Sequence, residues 1–428
     1  MPLLGSQRQQ QHQMAQKHQP LTPAQVAIIK STAPVLAEHG NTITTVFYKN
    51  MLDVHKELND IFNTVNQLNG HQPRALATAL YAYASHIDDL GVLSPAVELI
   101  VHKHASLYIR PEHYEIVGKY LLEALAQVLG AALTPEIHDA WAAAYWQLAD
   151  LLIGKEAALY ASADGWTDWR RFRIARKVPE SSEITSFYLE PADRSKKLPS
   201  FLPGQYIGVR ISVPNLKHLQ PRQYSVSSAP GKPYLRISVK REDGAPDAGH
   251  PGFVSNVLHS SKHQGDEIEV SHPFGDFYFD VHKEKPTAPV VLLSAGVGLT
   301  CLLSILETIV DDEKRPVTWI HGARSSGARA FAAHVRDLAQ SHTNLRTSLF
   351  TTRVQEGDVR GADFDHEGRV DLARVDPEAD LHLSNPDTLY YFCGPENFML
   401  QTKQALAAKG VDESRLRMEL FGTGGLPA

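Results

Sequence analysis

The spacing of apolar residues changes twice along this chain, and each change marks a different kind of structure. From Thr22 to about Tyr160 they recur three and four positions apart, which places them on one face of a helix. Thr22-Pro23-Ala24-Gln25 combines a capping hydroxyl, a first-turn proline and a capping-box glutamine, and Gly40 is read as the end of the helix they begin. Ile43, Val46, Phe47 and Met51 form the next stripe, with Tyr48 beside Phe47, and Gln72, Leu76, Leu80, Tyr83 and Ile87 share another face. Ser94-Pro95 predicts a further helix start, capped by the Ser94 hydroxyl and followed by Val97, Ile100, Val101 and His104. Thr134-Pro135 opens the last helix of this region, whose stripe runs from Trp141 through Tyr145, Leu148 and Leu152 to Glu156.

After Trp166 and Trp169 the period becomes two. The segments 172–176, 184–189, 205–211 and 235–241 read as strands separated by turn clusters such as Leu202-Pro203-Gly204, the pattern of a small antiparallel barrel. From Pro289 the pattern changes again. Pro289 to Ser294 is a short continuous apolar run, as a strand buried on both faces requires, and a glycine turn leads from it into a helical pattern from Cys301 to Val310. Val317 to Gly322 and Leu389 to Cys393 are further strands of this α/β region. The expectation is a multidomain chain: a glutamine-rich disordered tail over 1–20, an all-α domain over 21–160, an antiparallel β-barrel over 161–284 and an α/β domain over 285–428.

Composition narrows the function classes. At 428 residues the chain is too long for one core. A net charge of -6, with no block of basic residues, gives no reason to expect a nucleic-acid partner. No apolar run approaches a bilayer-spanning length. Cys301 and Cys393 are the only two cysteines, which excludes a disulfide framework or a four-cysteine metal site and fits a reducing compartment. The tail lacks acidic residues, as a mitochondrial presequence would, but it is poor in Arg and Ser and has no amphipathic stripe, so a cytoplasmic location is expected and a mitochondrial one is the alternative.

Candidate chemistry begins with misfits. Gln72, His104 and Glu156 each stand where a helical stripe calls for an apolar residue; together they suggest an enclosed polar site. A buried histidine needs a partner for its ring nitrogens, and a carbonyl, a carboxylate or a metal would serve. Zinc is a poor candidate, because His102 and His104 point to opposite sides of a helix.

F-Y-K-N-M at Phe47 to Met51, I-F-N at Ile61 to Asn63, N-Q-x-N-G-x-Q from Asn66 to Gln72, K-H-A-S at Lys103 to Ser106 and K-E-A-x-L-Y from Lys155 to Tyr160 resemble the globin domain of flavohaemoglobins. The resemblance implies that His104 is the proximal haem ligand, that Tyr48, Phe62, Gln72 and Leu76 line the distal pocket, and that Tyr114 and Glu156 orient the histidine. The second region continues the resemblance. Arg222-Gln223-Tyr224-Ser225 is similar to the R-x-Y-S element that holds flavin in ferredoxin-reductase-like barrels, with P-G-Q-Y at Pro203 to Tyr206 before it and V-K-R-E from Val239 after it. Gly252-Phe253-Val254-Ser255 resembles the second flavin element, although the loop from Asp243 to Pro251 is longer than in bacterial members.

In the third region, Gly296-Val297-Gly298-Leu299-Thr300-Cys301 resembles the family's G-x-G-x-T-P turn, with Cys301 in place of proline, and Cys393-Gly394-Pro395 matches the element beside the nicotinamide. Glu419, Phe421 and Gly422 match the strand that reaches back over the flavin; Leu420 and Thr423 replace the usual cysteine and proline. Lys103 and Glu419 match positions near the flavin–haem junction. Arg324, Ser325 and Ser326 follow the second strand, where related reductases read the adenosine ribose; a guanidinium with two hydroxyls suits a 2′-phosphate, so NADPH is expected to be accepted alongside or ahead of NADH.

The implied cofactors are haem b, FAD and NADPH or NADH. The implied activity is a nitric oxide dioxygenase, which converts the small molecules NO and O₂ to nitrate in a monomer without a membrane span. A haem-based gas sensor or storage globin, and an NAD(P)H-dependent ferric or quinone reductase, are the alternatives. A sensor has no use for hydride chemistry, and a reductase has none for Tyr48.

Overall fold

The computed structural model describes residues 18–244 and 251–422. The tail expected over 1–20 falls almost entirely outside them, as do most of the loop from Asp243 to Pro251 and Thr423. One compact unit extends to Asp168 and includes Ser212–Pro221; the other holds Trp169–Ile211 and the chain from Arg222 onward.

The first unit is helical: α1 (Pro23–Ser31), α2 (Ala33–Val54), α3 (Thr64–Leu68), α4 (His71–Ser85), α5 (Ser94–Ser106), α6 (Pro111–Leu129) and α7 (Pro135–Ser162), with 3₁₀ turns between some of them. Thr22 caps α1 by accepting from the Gln25 N–H, and Thr134 caps α7 through the Ile137 N–H, as the sequence predicts. Two expectations are corrected. The first helix ends at Ser31, where Pro34 forces a restart, and Gly40 lies inside α2, where a Cβ would meet Ala77 of α4 at an ordinary contact distance of 3.4 Å. Ser94 is not a cap either. A 3₁₀ turn, Leu90–Leu93, runs directly into α5, so Ser94 is already helical and Leu93 takes the capping position without a side-chain bond.

The core of this unit is made by Ile43, Phe47 and Met51 of α2, Leu121, Ala124 and Leu125 of α6, and Trp141 and Ala144 of α7. Each large apolar side chain fully withdrawn from water there contributes about 1.5–3 kcal/mol. Gly118 of α6 permits close approach to α7, since a Cβ on it would lie 2.5 Å from the Tyr145 ring.

The second unit contains two sheets. In the first, β1 (Arg170–Pro179), β2 (Ile184–Pro191), β3 (Tyr206–Ile211), β4 (Gln220–Ser225), β5 (Leu235–Lys240) and β6 (Glu267–Val270) are ordered β4-β3-β6-β1-β2-β5. An antiparallel bridge between Val226 and Ile237 joins the two edges, which closes the sheet into a barrel and removes its free edges. Helix α8 (Phe253–Ser260) follows β5.

The second sheet is parallel. β7 (Val290–Ala295), β8 (Val317–Ala323), β9 (Leu345–Thr351), β10 (His366–Glu367), β11 (Leu389–Cys393) and β12 (Leu416–Glu419) are ordered β10-β9-β8-β7-β11-β12. Helices α9 (Leu299–Ile309), α10 (Ala332–Ser341) and α11 (Glu396–Ala408) connect them. Val290 and Leu292 pack into a core with α9, whereas Val291 and Leu293 enter a separate core with Met399 and Leu406 of α11. That two-sided burial is why β7 reads as an unbroken apolar run. Among the described residues no helix is long and apolar enough to cross a membrane.

Candidate functional site

In the helical unit, α5, α6 and α7 each supply one group of a hydrogen-bonded cluster. His104 Nδ1 lies 2.8 Å from Glu156 Oε1 and 3.0 Å from the Tyr114 hydroxyl, which itself donates to Glu156 Oε1 at 2.6 Å. A carboxylate can only accept, so Nδ1 carries the ring proton and Nε2 keeps its lone pair, the form required of a metal ligand. Glu156 is almost wholly buried, at 2% exposure. Burial and the adjacent Glu156 charge both push the Tyr114 hydroxyl well above its ordinary range, so it remains a donor. The stripe that ends at His104 and the stripe that ends at Glu156 therefore misfit for one shared reason: each polar group is the other's partner.

Tyr48 of α2 is buried between aromatic rings, with centroids 4.7 Å from Phe47 and 5.5 Å from Phe62. Burial raises its pKa while a hydrogen bond with Gln72 opposes the rise, so the hydroxyl stays protonated at neutral pH. Leu76 and Phe62 are partly buried against the same core, and Lys103 precedes His104 on α5. A phenol donor, an amide and an apolar wall in one helical unit with an oriented imidazole can hold a flat apolar metal complex and a small polar ligand on it.

In the second unit Arg222 and Tyr224 stand on one face of β4, because alternate residues of a strand point the same way. Burial pulls the Arg222 guanidinium down to about 10, while the neighbouring Tyr224 opposes the fall. An anion beside it would restore the preference for charge, as a pyrophosphate does. Gln223 is half-buried and Ser225, at the end of β4, is buried. Gly252 begins α8 with no room for a side chain: a Cβ would sit 2.6 Å from Ser255 Oγ and 2.8 Å from Glu242 Cβ. Val254 and Ser255 are buried and Phe253 is half-buried, so what this segment offers an anion is the helix start itself. Tyr206 opens β3 with its backbone paired to Phe274, and its ring is buried against Gly275.

At the carboxyl end of β7 the chain turns through Gly296, which has φ +56°, and Gly298, whose missing Cβ would lie 2.2 Å from the Cys393 carbonyl oxygen. Only glycine permits that approach between this turn and the β11 end. Val297 and Leu299 flank it; Thr300 Oγ1 donates to Val297 O at 3.0 Å and Cys301 Sγ to Gly298 O at 3.5 Å, so the cysteine that replaces proline still ties the turn together. Burial, then the Cys301 thiol, push the Cys393 thiol up, and it is not a ready nucleophile. Gly394 lies against the Phe398 ring. Glu419 is buried opposite Cys393 in the β11–β12 register, followed by half-buried Leu420 and exposed Phe421 and Gly422.

Two features were not anticipated from the sequence. Glu307 of α9 accepts from Ala229 N–H at 3.0 Å, Arg236 Nη2 at 2.8 Å and His334 Nε2 at 2.9 Å. Burial opposes it, yet these partners hold its carboxyl below the usual range. Arg324 is not an open guanidinium but pairs with Glu183. Neither partnership has a local signature, since both join residues far apart in sequence.

A globin-like helical unit, followed by an antiparallel barrel with a basic flavin-type strand and a parallel sheet with a glycine turn, defines a haem-protein fold joined to a nicotinamide-linked reductase. Residues 45–152 match the family described as Globin, and residues 292–404 match the Oxidoreductase NAD-binding domain. The Flavohemoprotein of Bordetella parapertussis is 52% identical over 412 residues, which cover 95% of this chain and 100% of that one. The structure of flavohemoglobin from Malassezia yamatoensis with bound FAD and heme superposes with a TM-score of 0.82 at 28% identity, covering 94% of this chain and 100% of that one. The FAD/NAD binding domain of nitric oxide dioxygenase from Vibrio cholerae is 34% identical, with a TM-score of 0.52, covering 60% of this chain and 99% of that one. The chain belongs to the flavohemoprotein family, as its motifs imply, and has the globin, barrel and α/β fold expected of it.

Proposed function

We propose that this chain is an NAD(P)H-dependent nitric oxide dioxygenase: two NO and two O₂ take two electrons from one NAD(P)H and yield two nitrate ions, NAD(P)⁺ and a proton. The observation that carries the reading is the bond of 2.8 Å between His104 and Glu156, reinforced by Tyr114. A carboxylate on the far nitrogen makes an imidazole a stronger donor, which favours reaction at a metal over reversible storage.

The residues fit both prosthetic groups. His104 would hold the iron of haem b through Nε2, and Arg222, Tyr224 and the Gly252 helix start would hold FAD. Bound haem supplies redox-active iron, and FAD converts a hydride's electron pair into single electrons. Tyr48, held beside Gln72 and kept protonated by burial, would donate to an oxygen substrate as negative charge builds on it. Burial around Tyr48 and Phe62 keeps water away from that donor. The glycines at 296 and 298 would admit the nicotinamide coenzyme to the carboxyl edge of the parallel sheet.

The test is stopped-flow mixing of the reduced, oxygenated protein with NO. One nitrate per NO is expected, and slow ligand exchange without nitrate would mark a sensor or storage globin instead. Tyr48→Phe is expected to lower NO turnover by about ten-fold or more while NAD(P)H reduces the flavin at the wild-type rate. Equal loss of both rates would remove Tyr48 from the oxygen-handling side.

A further inference from the structure

The loop after β8 is met by a turn from the other sheet of its unit. Arg324, at the start of that loop, pairs with Glu183, which lies in the turn between β1 and β2. Both backbones are fixed. Glu183 N–H donates to Ser181 Oγ at 3.2 Å, and Glu183 O accepts from Arg241 N–H at 2.8 Å. The adjacent Ser182 N–H donates to Gly327 O at 2.9 Å, which ties the turn directly to the β8 loop. On the other side, Arg324 O accepts from Arg353 N–H at 2.8 Å and from Thr352 Oγ1 at 3.2 Å. The Ser326 hydroxyl donates to Gln355 Oε1 at 2.9 Å. The pair thus sits at a built junction, with the Arg324 side chain 69% exposed and that of Glu183 only 21% exposed.

In open parallel sheets the residue that follows the second strand of the nucleotide-binding half faces the adenosine ribose. A carboxylate there accepts from a 2′-hydroxyl and repels a 2′-phosphate, whereas an arginine attracts the phosphate. This chain has both, already neutralising one another, and the carboxylate comes from the barrel rather than from the nucleotide-binding sheet. The attraction that Arg324, Ser325 and Ser326 offer a phosphate is therefore opposed by a competitor already paired with the guanidinium.

We infer that Glu183 is a specificity-determining residue for the coenzyme: by occupying Arg324 it weakens binding of a 2′-phosphate and shifts preference towards NADH. This rests on the proposal that the second unit oxidises NAD(P)H. An ion pair this exposed is weak, so a phosphate dianion can displace the carboxylate, and the effect is a graded bias instead of exclusion.

The test is calorimetric titration of the complete, cofactor-loaded protein with 2′,5′-ADP and, separately, 5′-AMP. Glu183→Gln is expected to tighten 2′,5′-ADP by about two- to five-fold relative to 5′-AMP, and to raise the NADPH-to-NADH ratio of kcat/KM for flavin reduction by a similar factor. Arg324→Ala is expected to lower both ratios. If Glu183→Gln leaves both ratios at wild-type values while Arg324→Ala lowers them, the inference about Glu183 is wrong and the coenzyme reading stands. If both compounds bind but neither substitution moves the ratios, this loop does not read the ribose and the inference is equally wrong. If the wild-type protein binds neither compound and neither coenzyme reduces the flavin, the proposed function itself fails.

Discussion

In the cluster of His104, Tyr114 and Glu156 the position of one proton decides whether an imidazole nitrogen is available to a metal. Glu156→Gln keeps the shape but removes the charge, and an amide can present either a donor or an acceptor to Nδ1. Haem affinity or NO turnover is expected to fall by about ten- to hundred-fold, with a rise in the iron midpoint potential read by spectroelectrochemistry. An unchanged potential would mean that the carboxylate only packs. Tyr114→Phe removes one donor from a carboxylate that keeps His104, leaving more of its charge for Nδ1–H, so its shift is expected to have the opposite sign and to be smaller. Of this cluster, His104 and Glu156 were legible as polar groups at the ends of apolar stripes. Tyr114 was not, because an aromatic residue in a helix fits a core as readily as a hydrogen-bonded site; only the family resemblance singled it out.

At the scale of elements, glycines separate what a local pattern can reveal from what packing decides. Gly40 reads as a helix stop, yet it lies within α2, where a Cβ would touch Ala77 at an ordinary contact distance of 3.4 Å. Gly40→Ala is expected to be neutral or to stabilise the protein by up to about 1 kcal/mol through helix propensity. Gly118 carries no local signal at all, but a Cβ there would overlap the Tyr145 ring at 2.5 Å. Gly118→Ala is expected to cost about 1–3 kcal/mol by overpacking α6 against α7, measured by urea denaturation of both variants in parallel. The same limit applied to the barrel. β1, β2, β3 and β5 were legible from alternation, whereas β6 is a four-residue strand and β4 includes Pro221, so their place comes from pairing with distant partners.

For the molecule as a whole, acid sensitivity is set in part by a histidine outside the proposed chemistry. His321 is buried at 2% exposure on β8, bonded to Ser294 Oγ at 2.8 Å, and burial first, then the Arg329 charge, lower its pKa from 6.5 to about 3. The unfolded chain takes up this proton near 6.5, so between those values it binds more protons than the folded one. The contribution is fully present above about pH 6.5 and is lost as the pH falls towards 3, by a few kcal/mol at most. Thermal melts between pH 7 and pH 4 are expected to show a shallower loss of stability in His321→Gln than in the wild type. Parallel slopes would show that other groups govern acid unfolding.

The grip of Ser182 and Glu183 on the β8 loop bears on how such chains can be recombined. A chimaera that joins this barrel to a relative's nucleotide-binding sheet separates Ser182 from Gly327 and Glu183 from Arg324. Crossovers that transplant the 180–183 turn together with the incoming sheet are expected to retain the donor's choice of coenzyme, whereas those that cut only between β6 and β7 inherit a mixed one.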